Sequence, residues 1–327
     1  MKEFLLNILC CPNCGRDLDL QKPKIKKKEI EEGELTCIGC GRNYPVTRSI
    51  PRFVPLENYA SSFGFQWNRF FKTQLDSYTG TPIARERFRI RTEWHPSELG
   101  GQMVLDVGCG AGRYAEVALS MGAQLVAVDY SSAVEACWQN LQSNPNLNVV
   151  QADIYNLPFK PASFKFVYCF GVLQHTPEVG KAFMALPTQL SSGGRLSVDV
   201  YPKLFRNILW PKYWLRLFTK GIPSERLFPW VQSLVKVFFP LSIALGRIPF
   251  IGPKLRYVIP VVNYEGVLPL TMEQLKEWFV LDTFDMLSPL HDHPQTAHTL
   301  RKWFEQAGLQ EIHIFRSGFL IGRGIKP

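Results

Sequence analysis

Four of the eight cysteines stand in two Cys-x-x-Cys pairs near the start of the chain. The pairs are Cys11 with Cys14 and Cys37 with Cys40, and a glycine follows each pair. Such turns let two thiolates approach one tetrahedral ion, which is the pattern of a structural Zn²⁺ site. A closed set of four cysteines leaves no open position for catalysis, so we expect the ion to hold a small ribbon together. Cys10 is left over and could replace Cys11 as a ligand, although its spacing is less favourable.

The segment that begins at the last cysteine of the second pair reads CGRNYPVTRSIPRFVP. Its Tyr-Pro-Val and Ile-Pro steps resemble the end of the small zinc-ribbon family related to the activator subunit of tRNA and protein methyltransferases. The resemblance covers residues 1–56 and implies a zinc-ribbon domain that could also bind a protein partner. A redox dithiol would need only one pair of cysteines, and a disulfide pair does not suit a cytoplasmic chain.

A glycine-rich turn follows an apolar run in MVLDVGCGAGRY, which begins at residue 103. The run contains Asp106, and the turn contains Gly108, Gly110 and Gly112 before a helical stretch. Glycines allow the backbone to approach a ligand closely. A dinucleotide site would need its third glycine at Arg113, so the pattern is instead Asp-x-Gly-x-Gly-x-Gly.

Carboxylates end the next two predicted strands. Asp129 stands 129 − 108 = 21 residues after the first glycine, which suits a carboxylate that accepts hydrogen bonds from ribose hydroxyls. The alternative for Asp129 is a cap before Ser131. Asp153 ends the third strand and could bond an adenine amino group, or it is only a strand-end turn residue.

Taken together, these segments resemble class I S-adenosylmethionine-dependent methyltransferases of the type 11-like group. The resemblance covers about 101–200 and again 297–327. It implies an α/β, Rossmann-like sheet of seven strands, one of them antiparallel, and S-adenosylmethionine as cofactor. It also implies where the cofactor lies. The methionine part would border Asp106 and the glycine loop, the ribose would border Asp129, and the adenine would border Asp153 and Ile154. The cofactor-binding residues implied in this way are Asp106, Gly108, Cys109, Gly110, Gly112, Asp129, Tyr130, Asp153, Ile154 and Phe170.

Two places in the sequence could supply a catalytic group. Methyl transfer depends mainly on in-line positioning, and a general base is needed only when the acceptor carries a proton. His175, in the loop after the fourth strand, could be that base, or it only packs or caps. Asp285 and His293 lie in the acid- and histidine-rich stretch VLDTFDMLSPLHDHPQT, which could bind substrate, supply a base, ligate a metal or form a solvated loop. The loop at His175 lacks the Asp/Asn-Pro-Pro-Tyr motif of many nucleic-acid amino-methyltransferases.

The elements that must position these residues divide the chain into three parts. We predict a zinc ribbon over 1–56, a helical extension over 57–100 and the methyltransferase domain over 101–327. After the fifth strand the next helix of the sheet domain starts near Thr299, about ninety residues later, which is too long for a plain connection. We therefore predict a helical insertion over 201–296.

The net charge of +9 belongs to this insertion. Residues 201–263 hold ten basic residues and one acid, so they account for 10 − 1 = +9, and the remainder is neutral. Within LWPKYWLRLFTKG an apolar stripe follows helical spacing, and a basic stripe lies on another face. The apolar stripe consists of Trp210, Tyr213, Trp214 and Leu217, and the basic one of Lys212, Arg216 and Lys220. A second stripe, with a kink expected at Pro240, consists of Trp230, Leu234, Phe238, Leu241 and Leu245.

Three interpretations of the insertion compete. If the insertion is a lid over the cofactor, its aromatic face should be buried. If it is an interfacial helix, this face should meet lipid headgroups. If it is a nucleic-acid platform, its cations should contact phosphates. We favour the lid, with peripheral membrane contact through 201–263 as an added role and nucleic acid as the third interpretation. The high apolar content of the region argues against a phosphate-binding face.

The predicted function is S-adenosylmethionine-dependent methyl transfer to a small-molecule acceptor. A hydrophobic, lipid-linked or sugar-type biosynthetic intermediate fits the insertion best. The alternatives are an RNA methyltransferase and a non-catalytic adaptor that uses the ribbon to bind a partner. The sequence has no run of eighteen uncharged apolar residues and no cleavable leader pattern, so we expect a cytoplasmic protein that also contacts the membrane surface.

Overall fold

The computed structural model describes most of the chain, in five ranges. These are residues 1–26, 29–55, 58–204, 211–252 and 259–327. The side chains at 211 and 212 are not among the described ones. The predicted stripe residue Trp210 lies outside the described residues, as do three basic residues of the charged region, namely Arg206, Lys254 and Arg256.

An antiparallel sheet of four strands forms the N-terminal part, after one short helix. The elements are α1 (Leu5–Ile8), β1 (Leu18–Lys26), β2 (Glu29–Cys37), β3 (Asn43–Thr47) and β4 (Ile50–Pro51), with the strands in sequence order across the sheet. The two cysteine pairs lie on tight turns, because the Gly15 amide donates to the Cys11 carbonyl and the Gly41 amide to the Cys37 carbonyl. Both glycines have positive φ, 73° and 69°, a conformation that other residues rarely adopt.

Four helices lead from this sheet to a larger one. They are α2 (Ser61–Arg69), α3 (Asp76–Thr79), α4 (Ile83–Thr92) and α5 (Pro96–Leu99). The larger sheet has the order β10-β11-β9-β8-β5-β6-β7. Its strands are β5 (Met103–Val107), β6 (Gln124–Asp129), β7 (Leu147–Gln151), β8 (Phe164–Cys169), β9 (Leu190–Val200), β10 (Gln310–Ser317) and β11 (Phe319–Ile325). The helices α6 (Arg113–Ser120), α7 (Val134–Leu141) and α8 (Val179–Gln189) connect its strands.

The seven-stranded sheet confirms the predicted fold. Only β11 runs antiparallel to its neighbours, β9 and β10. The four other pairs of neighbouring strands, from β9 across to β7, are parallel. The central strands are buried almost throughout, as their continuous apolar sequences predict for a parallel sheet covered on both faces. Gly318, with φ of 71°, turns β10 into β11.

The N-terminal sheet packs directly on the larger one. The Cys10 amide donates to the Pro158 carbonyl, and the Phe53 amide to the Gln151 carbonyl at the end of β7. The Arg52 guanidinium donates to the Gln151 side chain and forms a partly buried ion pair with Glu135 of α7. Apolar side chains from both sheets form one continuous core, to which the ribbon contributes Met1, Leu5, Leu9, Leu18, Ile30, Leu35, Tyr44 and Val46.

Within the residues that the structure describes, three helices follow β9 and build a separate layer. They are α9 (Pro211–Thr219), α10 (Ser224–Gly246) and α11 (Met272–Leu287), and α12 (Ala297–Gln306) then returns to the sheet. The layer has its own apolar core between α10 and α11, which includes Phe228, Val231, Phe279 and Phe284. Helix α10 passes through Pro229 and Pro240 and is long and apolar enough to cross a membrane, although this holds by length and composition alone.

The predicted orientation of α9 is wrong. Trp214, Leu217 and Phe218 are exposed, at 58%, 64% and 78%, whereas Arg216 is buried. The Arg216 guanidinium donates to the carbonyls of Met286 and Pro289 at the end of α11. The basic residue therefore anchors the helix, and the aromatic residues face outwards.

The second predicted stripe is only partly buried, and its members Leu234, Phe238 and Leu245 pack against the core of this layer. In α10 the buried side chains are Leu227, Phe228, Val231, Val235 and Ser242, which lie on a face next to the predicted one. Trp230 and Leu241, two members of the predicted stripe, are exposed. A helix with apolar residues on more than one face does not reveal from its sequence which face its neighbours will cover.

Candidate active site

A cavity of about 630 Å³ lies at the carboxyl ends of the central strands. The ends of β5, β6 and β9 reach it through Val107, Val128 and Asp199. This is the edge of a parallel α/β sheet where ligands bind. The cavity is closed on its other sides by residues of α2 and α4, by the segment 259–264 and by α11.

The glycine loop forms one wall. Gly108 and Gly110 line the cavity, and all three loop glycines have positive φ. A Cβ atom at Gly108 would lie 2.1 Å from a Val172 methyl group, and one at Gly112 would lie 2.8 Å from Leu141 of α7. Gly112 thus lets the loop pack on α7, and it is not among the residues that line the cavity. Cys109, buried between the glycines, does line it.

Asp129 both caps its own turn and reaches the cavity. One carboxylate oxygen accepts hydrogen bonds from the amide and hydroxyl of Ser131, at 2.8 and 2.7 Å. The other accepts from the Gly110 amide at 3.0 Å. Burial raises the pKa of Asp129, and these hydrogen bonds partly offset that shift.

Asp106 lies below the glycine loop, outside the cavity lining. Burial raises the pKa of its carboxyl group to about 8, and the nearby Tyr168 hydroxyl offsets this only in part. Burial takes the charged form of Asp106 out of water, and no cation among the described residues compensates for this. The carboxyl group of Asp106 is therefore neutral at pH 7. A cation bound above the loop would favour its ionised form.

The residues predicted to hold the adenosine divide into two groups. Tyr130, Ile154 and Phe170 line the cavity. Asp153 does not, and its carboxylate instead accepts a hydrogen bond from the Tyr155 amide. The turn role is thus visible for Asp153, while its bond to adenine stays a prediction. Tyr130 packs against Tyr59, with ring centroids 4.9 Å apart.

Of the three predicted catalytic residues, His175 and Asp285 reach the cavity. His175 is buried, and its Nδ1 lies 2.9 Å from the His291 carbonyl. Because a carbonyl only accepts, Nδ1 carries a proton in this hydrogen bond. Asp285 accepts a hydrogen bond from Gln66 of α2 at 3.0 Å. Its place on α11, together with Asp282, shows that this part of the predicted loop is helical.

His293 is exposed and is not among the residues that line the cavity. Its amide donates to the Gln174 carbonyl, which ties the loop before α12 to the turn that holds His175. Asp292, beside it, lines the cavity and lies 3.9 Å from the Arg216 guanidinium. Within the described ranges, the one group of side chains that could hold a metal is elsewhere, at the four cysteines.

Sequence reasoning missed a set of arginines in this cavity. Arg91 of α4 forms a buried ion pair with Asp199, with Nε and Oδ2 2.5 Å apart. Asp199 also accepts from the Gly171 amide. Arg87 and Arg113 line the cavity as well. The signals in the sequence were an acid inside the apolar fifth strand and an arginine-rich helix, but neither shows that the two meet.

The four cysteines of the N-terminal turns converge. Their Sγ atoms all lie within 4.8 Å of one another, with Cys11 and Cys40 3.7 Å apart and Cys14 and Cys37 3.4 Å apart. Tetrahedral zinc with Zn–S bonds of about 2.3 Å needs sulfurs about 3.8 Å apart, so the set fits. The amides of Cys40 and Gly39 point at Cys37 Sγ and lower the pKa of that thiol to about 6. Cys10 does not belong to the group.

Comparison with protein families confirms both predicted resemblances. Residues 105–198 match the model described as a methyltransferase domain, and residues 2–49 match the model described as Trm112p-like protein. The first match contains the glycine loop, Asp129 and His175. The second contains all four cysteines.

Individual relatives match over part of their length. The ubiquinone biosynthesis O-methyltransferase of Albidiferax ferrireducens is 32% identical over 148 residues, which are 40% of this chain and 56% of that protein. An uncharacterised protein of Synechococcus is 29% identical over 65% of this chain and 48% of its own length. The chain thus spans about half the length of these curated relatives. A solved complex of the Haloferax volcanii Trm112 methyltransferase activator with a methyltransferase matches with 13% identity and a TM-score of 0.47, over 81% of this chain and 97% of that one.

Proposed function

Since the chain joins a Trm112p-like domain to a methyltransferase domain, we propose that it transfers a methyl group from S-adenosylmethionine to an apolar small molecule. One observation carries the proposal. A single cavity has the glycine loop and Asp129 on one wall, and His175, Asp285 and aromatic side chains on the other walls. Cofactor and acceptor would therefore meet in one enclosed space.

The glycine loop and Asp129 would hold the cofactor, whose sulfonium supplies an activated methyl group. Asp129 offers a buried carboxylate to the ribose, and Tyr130, Ile154 and Phe170 offer apolar surface to the base. Asp106 would compensate the positive charge from below the loop. The enclosed site would exclude water and hold the acceptor in line, which supplies much of the rate.

His175 is our first candidate for a general base. With Nδ1 as the donor, the neutral ring would carry its lone pair on Nε2. The ring packs against Phe63 and Tyr201, with centroids 5.1 and 5.4 Å away. This packing fixes the orientation of the ring. A proton on the acceptor, as on a hydroxyl group, would pass to Nε2, and Asp285 is the second candidate. The relatives named O-methyltransferase support an oxygen acceptor.

We propose an anionic membrane surface as the partner of the insertion. We define the outer patch as the exposed apolar residues Trp214, Leu217, Phe218, Trp230, Val237, Leu241, Phe250 and Ile251. The exposed cations Lys220, Arg226 and Lys236 lie among them. Apolar side chains mixed with cations suit lipid headgroups above acyl chains better than a phosphate backbone, and this supports membrane contact over RNA binding. The segment 259–264 and α11, and not α9, would close the site.

The ribbon would serve the chain itself, with Zn²⁺ holding its turns. Leu5, Leu9 and Arg52 are all buried against the chain's own methyltransferase domain. This supports a structural role over the adaptor alternative, in which the ribbon recruits a separate partner.

The test is transfer of a labelled methyl group from S-adenosylmethionine into cell extract separated into organic-soluble molecules, RNA and protein. We expect label in the organic-soluble fraction with the zinc-loaded protein, and none with the Asp129→Ala variant. Label that appears in RNA or protein alone would contradict the proposed acceptor class. The His175→Gln variant then tests the base, since its turnover should fall while S-adenosylhomocysteine binding stays unchanged.

A further inference from the structure

Arg113 carries hydrogen-bond donors that the described parts of the chain leave unused. The residue follows the glycine loop at the start of α6, and its Nε and Nη2 atoms are buried, while the residue as a whole is half-buried. Nη1 donates to the Gln74 side chain at 2.8 Å. Nε and Nη2 have no hydrogen-bond partner among the described residues. A buried guanidinium with unpaired donors is costly, so a ligand is the expected partner.

The surroundings hold the guanidinium in place without pairing with it. The rings of Tyr114 and Trp278 lie 5.2 and 5.4 Å from it. Asp282 of α11 interacts electrostatically with Arg113, while its carboxylate accepts hydrogen bonds from Tyr264 and Gln74. Burial lowers the pKa of Arg113 to about 10, so the group is still charged at neutral pH. Arg87 faces the same space and adds a second positive charge.

The two unused donors define the ligand chemistry. Nε and Nη2 lie on one edge of the guanidinium and point in parallel, and this fork matches the two oxygens of a carboxylate. Arg91 cannot take this role, since Asp199 already occupies it. We propose that Arg113 is a carboxylate-binding residue of the cavity, oriented by Gln74.

This inference rests on the proposed function, and it allows two sources of the carboxylate. One is the methionine end of the cofactor, because Arg113 directly follows the glycine loop. The other is a carboxylate on the acceptor, because the same cavity holds both. The chemistry is shared, and the experiment separates the sources.

The first arm measures binding of S-adenosylhomocysteine and of 5′-methylthioadenosine by calorimetry. The second compound has the same thioadenosine part but no amino-acid end. If the carboxylate is the cofactor's, Arg113→Gln should lower the affinity for S-adenosylhomocysteine at least about tenfold, since one charged bidentate contact is lost. The affinity for methylthioadenosine should change less than about twofold. Arg113→Lys keeps the charge without the fork and should lower the affinity for S-adenosylhomocysteine to an intermediate extent. Arg89→Gln, at an exposed position of the arginine-rich helix, should change neither.

The second arm uses benzoate as a carboxylate probe, titrated into protein saturated with S-adenosylhomocysteine. If the carboxylate is the acceptor's, the wild type should bind benzoate, with quenching of tryptophan fluorescence, and Arg113→Gln should not. If Arg113→Gln binds S-adenosylhomocysteine like the wild type but loses benzoate, the carboxylate that Arg113 binds belongs to the acceptor. Wild-type affinity for both S-adenosylhomocysteine and benzoate in Arg113→Gln would overturn the inference.

Two controls keep the inference separate from folding and from the proposed function. The Arg113→Gln variant should melt no lower than the wild type without ligand, because it removes an unpaired buried charge. A wild type that binds neither adenosine compound would contradict the proposed function. The benzoate titration of the ligand-free protein would then still decide on Arg113.

Discussion

The ribbon and the insertion, the two additions to the methyltransferase domain, differ in how far their apolar side chains are buried. The ribbon buries Leu5, Leu9 and Leu35 in a core that it shares with the large sheet. The insertion leaves Phe218 and Phe250 exposed, at 78% and 98%. The first addition shares its core with the domain, whereas the second exposes apolar side chains, which we propose contact an anionic membrane surface. Exposed apolar patches of this kind mark interaction sites.

The largest effect should come from the Zn²⁺ ion that we propose for the four cysteines of the ribbon. Because ribbon and sheet share one core, we expect Cys37→Ser to destabilise both, with a fall in Tm of about 10 °C or more. Calorimetric unfolding with measurement of bound zinc checks this. Cys10→Ser is the matched control and should keep its zinc. An unchanged Tm in Cys37→Ser would mean that the ribbon does not depend on the metal.

The next effect concerns the sheet's own binding site. Asp129→Ala removes the carboxylate and should lower the affinity for S-adenosylhomocysteine about 100-fold, since hydrogen bonds to charged groups contribute about 1.5–3 kcal/mol each. Ser131→Ala removes a partner of that carboxylate but keeps the charge, and it should cost far less. Titration calorimetry compares the two variants. Equal losses would show that Asp129 acts only as a cap.

The outer patch should affect partner binding and not stability. We expect Trp214→Ser with Phe218→Ser to change the free energy of unfolding by less than about 1 kcal/mol, since both side chains are exposed. The same variant should lose most of its co-sedimentation with anionic vesicles. Ile25→Ser, at an exposed position of the ribbon, is the control and should bind vesicles like the wild type. Binding that is indifferent to the patch or to lipid charge would contradict the comparison.

The smallest effect is a pH dependence at Asp106. Burial raises its pKa from the ordinary value of 3.8 to about 8 in the folded protein, so the folded state binds more protons than the unfolded state between these pH values. The free energy of unfolding of the ligand-free protein therefore falls as pH rises from about 4 to about 8. Asp106→Asn removes this loss and should melt a few degrees higher than the wild type at pH 8, with no difference at pH 4. A lower Tm at pH 8 would show that the carboxylate is stabilising.

The sequence predicted the sheet and its loops because these depend on neighbours along the chain. Gly108 and Gly112 need positive φ within one strand-turn-helix unit, and the cysteine turns close over four residues. Arg216 shows why the insertion was harder. Its partners are the carbonyls of Met286 and Pro289, which lie 70 and 73 residues away in the sequence. No local sequence pattern predicts these hydrogen bonds. The buried pair of Arg91 and Asp199, 108 residues apart, was missed for the same reason.

The central claim is that the cavity binds S-adenosylmethionine beside an acceptor site. Its most direct test is calorimetric titration of the zinc-loaded protein with S-adenosylhomocysteine, the product that retains the cofactor's adenosine and amino-acid parts. We expect one binding site per chain in the wild type, and none at the same concentrations in Asp129→Ala. A folded, zinc-loaded wild type that binds no S-adenosylhomocysteine would contradict the account.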